Sequence, residues 1–211
     1  MSSPTQVPSP LQYRALNQSI REIRLLRICF DPDSETSLAN LELVYTELQP
    51  DLDFTAISYA WGSQQIRKQV QIDGHSVLVG ETLYELLQQL IQRPPWSQAG
   101  AYNFWIDAIC INQQDDAEKS VQVRGMSELY ATAHHVLVWL GPERDDSAFV
   151  LWKLRGGAEA SRQSSSMVLR RDVIEGAAED MSNLARLFMR PFFTRAWYEI
   201  GPLRRVSVRK R

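Results

Sequence analysis

Phe104-Trp-Ile-Asp-Ala-Ile-Cys-Ile-Asn-Gln113 is the stretch whose reading decides the fold. From Phe104 to Ile111 it is almost wholly apolar and rich in β-branched and aromatic residues. That pattern predicts a strand buried on both faces of a parallel sheet. Asp107 is the single carboxylate in the run, and Trp105, Ile109 and Ile111 would share its strand face. A polar cluster, Asn112-Gln-Gln-Asp-Asp116, follows at once. In open α/β sheets, ligands bind outside the carboxyl ends of strands, where the chain turns into the next helix. A site is therefore expected at this junction.

Working outward, residues 116–133 predict a helix with Val123, Met126, Leu129, Tyr130 and Ala133 as its buried stripe. His134 to Gly141 predicts another strand, closed by Pro142. The segment 104–141 thus reads as a strand–helix–strand unit, right-handed if its strands are parallel neighbours. Upstream, Thr82 and Glu85 have the spacing of a capping box. Leu83, Leu86, Leu87, Leu90 and Ile91 then give the apolar stripe of a helix over 82–92. Asp73-Gly74 between two alternating runs predicts a hairpin over 70–79. Phe54 to Gly62 is a short β-prone run, and a glycine at its end permits a sharp turn or close approach of a ligand. Ile23–Ile28 and Leu41–Leu48 predict two further strands. Downstream, residues 149–154 and 179–189 read as helices and 156–166 as a loop.

Composition sets limits. The chain has 211 residues, of which 44% are hydrophobic and 23% charged, so one folded core with small additions is expected. The net charge of −2 gives no general case for nucleic acid. Five basic residues between 204 and 211 carry +5; subtracting them leaves −7 on residues 1–203. That basic tail reads as solvated or truncation-derived. Cys29 and Cys110 lie within apolar runs and predict free thiols in a reducing compartment. No run approaches the ~20 apolar residues of a membrane span.

Several chemistries lack their signatures. The sequence has no P-loop, no G-x-G-x-x-G, no G-x-S-x-G and no H-E-x-x-H. Three histidines and two cysteines without ligand spacing predict no metal site. His134-His135 would point to opposite faces of a strand. Two carboxylates stand out instead. Asp107 needs hydrogen bonds or a charged partner where it sits. Glu118 is at the third position of the 116–133 helix with Asp115 as N-cap, and it either serves the helix start or points into a cleft with Asp107. Tyr59 and Trp61, at a strand end, are packing residues or a stacking platform.

Three collinear segments carry a family resemblance: Ile57-Ser-Tyr-Ala-Trp-Gly62; Trp105-Ile-Asp-Ala-Ile-Cys-Ile-Asn-Gln113; and Glu118-Lys-Ser-Val-Gln-Val123 with Met126, Tyr130 and Val136-Leu-Val-Trp-Leu-Gly141. In this order and spacing they resemble the heterokaryon incompatibility (HET) domain of filamentous fungi. Arg190-Pro-Phe-Phe-Thr-Arg-Ala-Trp197 resembles the family's closing segment, but Tyr198-Glu-Ile-Gly follows where a Gln-Glu pair is usual. The resemblance implies a cytoplasmic module for non-self recognition and regulated cell death. Such a module would act through self-association or another incompatibility protein, with no nucleic acid and no membrane span. It divides the chain into a lead-in (1–20), a HET core (21–145), a helical part (146–200) and the basic tail (201–211).

The expected fold is α/β, a mainly parallel central sheet flanked by helices, TIR- and flavodoxin-like, with a β-hairpin insertion. Distant similarity of the family to TIR domains implies an alternative reading, an NAD⁺ glycohydrolase, with NAD⁺ as its substrate and no cofactor assigned. A carboxylate would then stabilise an oxocarbenium-like transition state. Glu118 would carry that role with Asp107 in support, while Tyr59, Trp61, Gly62, Asn112 and Gln113 would bind the ligand.

Overall fold

Short apolar strands build the core, in the chain order the sequence suggests. The computed structural model describes residues 11–30, 39–92, 100–142, 186, 189–190 and 206–208. Its elements are β1 (Glu22–Phe30), β2 (Ala39–Glu47), β3 (Thr55–Tyr59), β4 (Arg67–Ile72), β5 (His75–Gly80), α1 (Glu81–Gln92), β6 (Ala101–Trp105), α2 (Asp107–Cys110), α3 (Asp116–Thr132), β7 (His135–Trp139) and β8 (Val206–Val208). The chain separates into two units, residues 1–139 with 199–209 and residues 140–198 with 210–211. In the second unit the Arg190 guanidinium donates to the Leu140 carbonyl at 3.1 Å. The helices predicted over 149–154 and 179–189 and the loop at 156–166 lie largely or wholly outside the described residues.

The first unit holds a six-stranded sheet in the order β2-β1-β6-β3-β7-β8 and a separate β4–β5 hairpin. Pairs β6–β3, β3–β7 and β7–β8 are parallel, whereas β2–β1 and β1–β6 are antiparallel. The fold is α/β with a mixed sheet, so the expectation of a mainly parallel sheet holds only for its second half. Buried Ile23, Arg24, Leu25 and Leu26 in β1 and Thr55, Ala56 and Ile57 in β3 follow one another without alternation. Both strands are thus covered on both faces, as continuous apolar runs require. Helix α1 packs Leu83, Leu86, Leu87 and Leu90 inward, the predicted stripe. It begins at Glu81, so Thr82 is a helical residue and not the N-cap of the expected capping box.

The hairpin turn is as predicted. Asp73 (φ 50°) and Gly74 (φ 72°) both occupy the left-handed region that a two-residue I′ turn demands. Asp73 also closes part of the outer edge of β2. Its N–H donates to the Leu41 carbonyl at 2.9 Å, and its carboxylate accepts the Leu43 N–H. Unpaired edge groups invite strand addition, and this contact covers two of them.

Four readings are corrected. First, the apolar run 104–111 is not one strand. β6 ends at Trp105, and Asp107–Cys110 forms a helical turn in which the Ile109 and Cys110 N–H groups donate to the Ile106 carbonyl at 2.9 and 2.7 Å. A buried strand and a buried helical turn need the same apolar string, and periodicity cannot separate them over so few residues. Asp107 therefore opens a helical turn instead of sharing a strand face with Trp105. Second, β6 and β7 are parallel but not neighbours, because β3 lies between them. Third, α3 buries only Leu129 fully, and Val123 is 53% exposed. Fourth, the His134 and His135 rings do not diverge: they stack at 4.5 Å, with His134 Nδ1 3.2 Å from Asp53. His134 precedes the strand, so strand alternation does not govern it. The expected basic tail also contains β8, where Val206–Val208 pairs with Val136–Val138.

An N-terminal strap, residues 11–17, crosses this unit and is pinned by charge. Both Arg14 guanidinium nitrogens donate to the Glu22 carboxylate, at 2.8 and 2.7 Å, and the Asn17 N–H adds a third bond at 2.9 Å. These bonds, Arg14 first and Asn17 second, lower the Glu22 pKa from 4.5 to about 2. A depressed carboxylate pKa stabilises the fold above the unfolded value, and that stability is lost as pH falls through the folded value. Stability should therefore decline between pH 4.5 and 2 through Glu22. Glu22→Gln should flatten part of that slope in acid titrations followed by circular dichroism.

Candidate functional site

Strand β3 delivers Tyr59 and Trp61 to its carboxyl end, and β6 delivers the α2–α3 loop to the same end. Between them and the β4–β5 hairpin lies a cavity of about 570 Å³, within the range of small-molecule sites. Its walls include Tyr59 and Trp61, Asn112, Gln113 and Gln114 after α2, Arg67 and Ser76 of the hairpin, and Leu11 and Tyr13 of the strap. Four of the five predicted ligand-binding residues, Tyr59, Trp61, Asn112 and Gln113, line this one cavity. Gly62 is not among its lining residues.

Gly62 has a different task. Its φ of 65° is left-handed, and a Cβ there would collide with the Thr82 hydroxyl at the start of α1. Both features exclude side chains. Gly62→Val should lower stability by roughly 2–4 kcal/mol through strain and overpacking, measured as a shift of the urea midpoint at unchanged m-value.

Asp107 sits behind the cavity wall and does not line it. One carboxylate oxygen accepts the Trp61 indole N–H at 2.8 Å, and the other accepts the Ala108 N–H at 2.7 Å. Gln113 donates its side-chain amide to the Asp107 carbonyl at 2.8 Å. Trp61, 46 positions upstream of Asp107, thus forms one hydrogen-bonded unit with Asp107 and Gln113. Burial, and next the Asp107 charge, push the Tyr59 phenol far above its ordinary pKa, so it is a neutral hydroxyl at any physiological pH.

Glu118 does not join Asp107. Its side chain is 10% exposed and turns inward to Arg24, which is 0% exposed. The two form a bidentate pair at 2.5 and 2.9 Å. Glu118 also accepts the Asn112 N–H at 2.8 Å. Arg24 further donates to the carbonyls of Cys110 and Arg14, at 3.2 and 2.6 Å, and lies over the Tyr13 and Tyr45 rings. Burial pulls the Arg24 pKa down, but the hydrogen bonds it donates to the Glu118 carboxylate outweigh it and the net shift is upward. Asp115 caps α3 as predicted, accepting the N–H groups of Ala117 and Glu118 at 3.0 Å each. Glu118 therefore ties β1, α2, the strap and α3 together.

Cys110 is buried, and its thiol pKa is pushed up to about 12, chiefly by burial, so it is not a nucleophile at neutral pH. Among the described residues no three His, Cys, Asp or Glu side chains are arranged to hold a metal, and no helix is long and apolar enough to cross a membrane. Sequence reasoning missed Arg24, Arg67 and Tyr13. Arg24 was open to detection: a cation between Ile23 and Leu25 in a buried strand requires an anion.

Apart from Leu11 and Tyr13, the residues lining the cavity lie in a region with known relatives. A family model described as heterokaryon incompatibility protein (HET) matches residues 54–198. The chain is also similar to heterokaryon incompatibility protein 6, OR allele, of Neurospora crassa. The two are 37% identical over 117 residues, covering 51% of this chain and 17% of the relative. The chain thus spans less than a fifth of that relative's length. No solved structure matches.

Proposed function

The chain belongs to the heterokaryon incompatibility (HET) family, and we propose that it is a cytoplasmic signalling module for non-self recognition and regulated cell death in a filamentous fungus. The observation that carries this reading is the family match over residues 54–198. That range includes the Tyr59–Trp61 strand end, the Trp61–Asp107–Gln113 unit and the loop braced by Glu118. In this reading the signature residues chiefly hold a surface in shape, and the module signals by self-association or by engaging another incompatibility protein. A flavodoxin-like, TIR-like core fits the parallel half of the sheet. Numbered among themselves, strands β6-β3-β7-β8 run 2-1-3-4, the flavodoxin-like order. The antiparallel β1 and β2 are outside that plan.

A glycohydrolase acting on NAD⁺ would need a carboxylate facing its substrate. The Glu118 oxygens are engaged by Arg24 and the Asn112 N–H, and Glu118 does not line the cavity. Those contacts favour the module over the hydrolase. The test is forced dimerisation. The chain fused to a chemically dimerisable domain should kill hyphae faster when the dimeriser is added than without it. Viable hyphae with dimeriser, at equal protein level, would refute signalling by proximity.

A further inference from the structure

The cavity has a lining chemistry that the signalling reading does not use. Arg67 is the one charged residue among the described residues that line it, and no carboxylate does. Its Nε donates to the Gln64 carbonyl at 3.1 Å, and among the described residues it pairs with no carboxylate. A cavity with one uncompensated cation favours an anionic occupant. Tyr59 and Trp61 supply aromatic surface on another wall, and the Trp61 indole is held by Asp107, so that wall is preorganised at little entropic cost. Asn112 and Gln113 line the cavity too. The Asn112 Oδ1 accepts the Gln114 N–H, and the Gln113 Nε2 donates to the Asp107 carbonyl. The complementary Asn112 Nδ2 donor and Gln113 Oε1 acceptor suit the mixed donor–acceptor edge of a heterocycle.

We propose that this cavity binds an anionic ligand bearing a planar heterocycle, the chemistry of a nucleotide, with the anion at Arg67 and the ring on the Tyr59–Trp61 wall. Binding alone is assigned; no bond is made or broken. The inference stands on the cavity and does not depend on the signalling reading, so a chain that fails to kill hyphae leaves it intact.

The test is calorimetric titration of the full chain with adenosine monophosphate, with adenosine and inorganic phosphate as the two half-ligands. The monophosphate should bind at least roughly tenfold more tightly than either half, the discrimination of one charge-assisted contact plus one stacked ring. Arg67→Gln, at an exposed position, should leave the melting temperature unchanged and bring the monophosphate down to the level of adenosine. No binding at millimolar monophosphate overturns the proposal. Equal binding of adenosine and monophosphate overturns the anion site, equal binding of phosphate overturns the ring site, and undiminished binding by Arg67→Gln overturns the assignment of Arg67.

Discussion

Glu118→Ala should unfold far more readily than the wild type, losing roughly 3–5 kcal/mol of stability. The loss follows from what the substitution strands. Arg24 is wholly buried and its charge is met by Glu118. Without that carboxylate the guanidinium keeps two backbone carbonyls and two tyrosine faces but has no counter-charge among the described residues. The Asn112 N–H loses its acceptor as well. Removing both partners is a different matter, since the desolvation cost disappears with them. Arg24→Met combined with Glu118→Leu should recover most of the loss, because apolar replacement of a buried ion pair is often near neutral. Urea denaturation of the two single variants and the double variant gives the coupling directly. A Glu118→Ala protein as stable as wild type would mean that the pair is not formed. This result also bears on function, because loss of activity in a Glu118 variant reports a missing brace unless the variant is shown to be folded.

Trp105→Ala should cost a similar amount, roughly 3–5 kcal/mol, by opening a large cavity at the end of β6. Trp105 is fully buried and meets the Tyr130 ring edge-to-face at 5.7 Å. Tyr130 in turn donates its hydroxyl to the Ile57 carbonyl at 3.0 Å, linking α3 to β3. The informative control is Trp105→Phe. Among the described residues the buried Trp105 indole N–H has no hydrogen-bond partner, so phenylalanine removes an unsatisfied donor while keeping most of the ring. Its cost should stay below about 1.5 kcal/mol. Thermal melts of the two variants check the contrast. Equal costs would show that the indole nitrogen has a role that packing alone does not explain.

The sequence disclosed elements with strong local signals and withheld what depends on distant partners. Asp73-Gly74 specified its hairpin because its turn type needs two left-handed residues. The leucines of α1 announced their stripe for the same kind of local reason. The 104–111 run was misread, because burial on all sides erases the difference between period 2 and period 3.6. Trp61, Asn112 and Gln113 were legible as neighbours of one cavity, since strand ends and the loops after them gather at one edge of a parallel sheet. The partnership of Arg24 with Glu118 spans 94 positions and was not legible: Glu118 already had a sufficient local explanation at a helix start. The unexpected inward charge on β1 was the clue that pointed beyond it.

The most direct test of the central claim is viability of hyphae after induced expression of this chain, scored by dye exclusion beside a Trp61→Ala variant shown to be folded at the same level. The account predicts death with the wild-type chain and survival with Trp61→Ala, whose hydrogen bond to Asp107 shapes the strand-end surface. Healthy hyphae accumulating the folded wild-type chain would contradict the account.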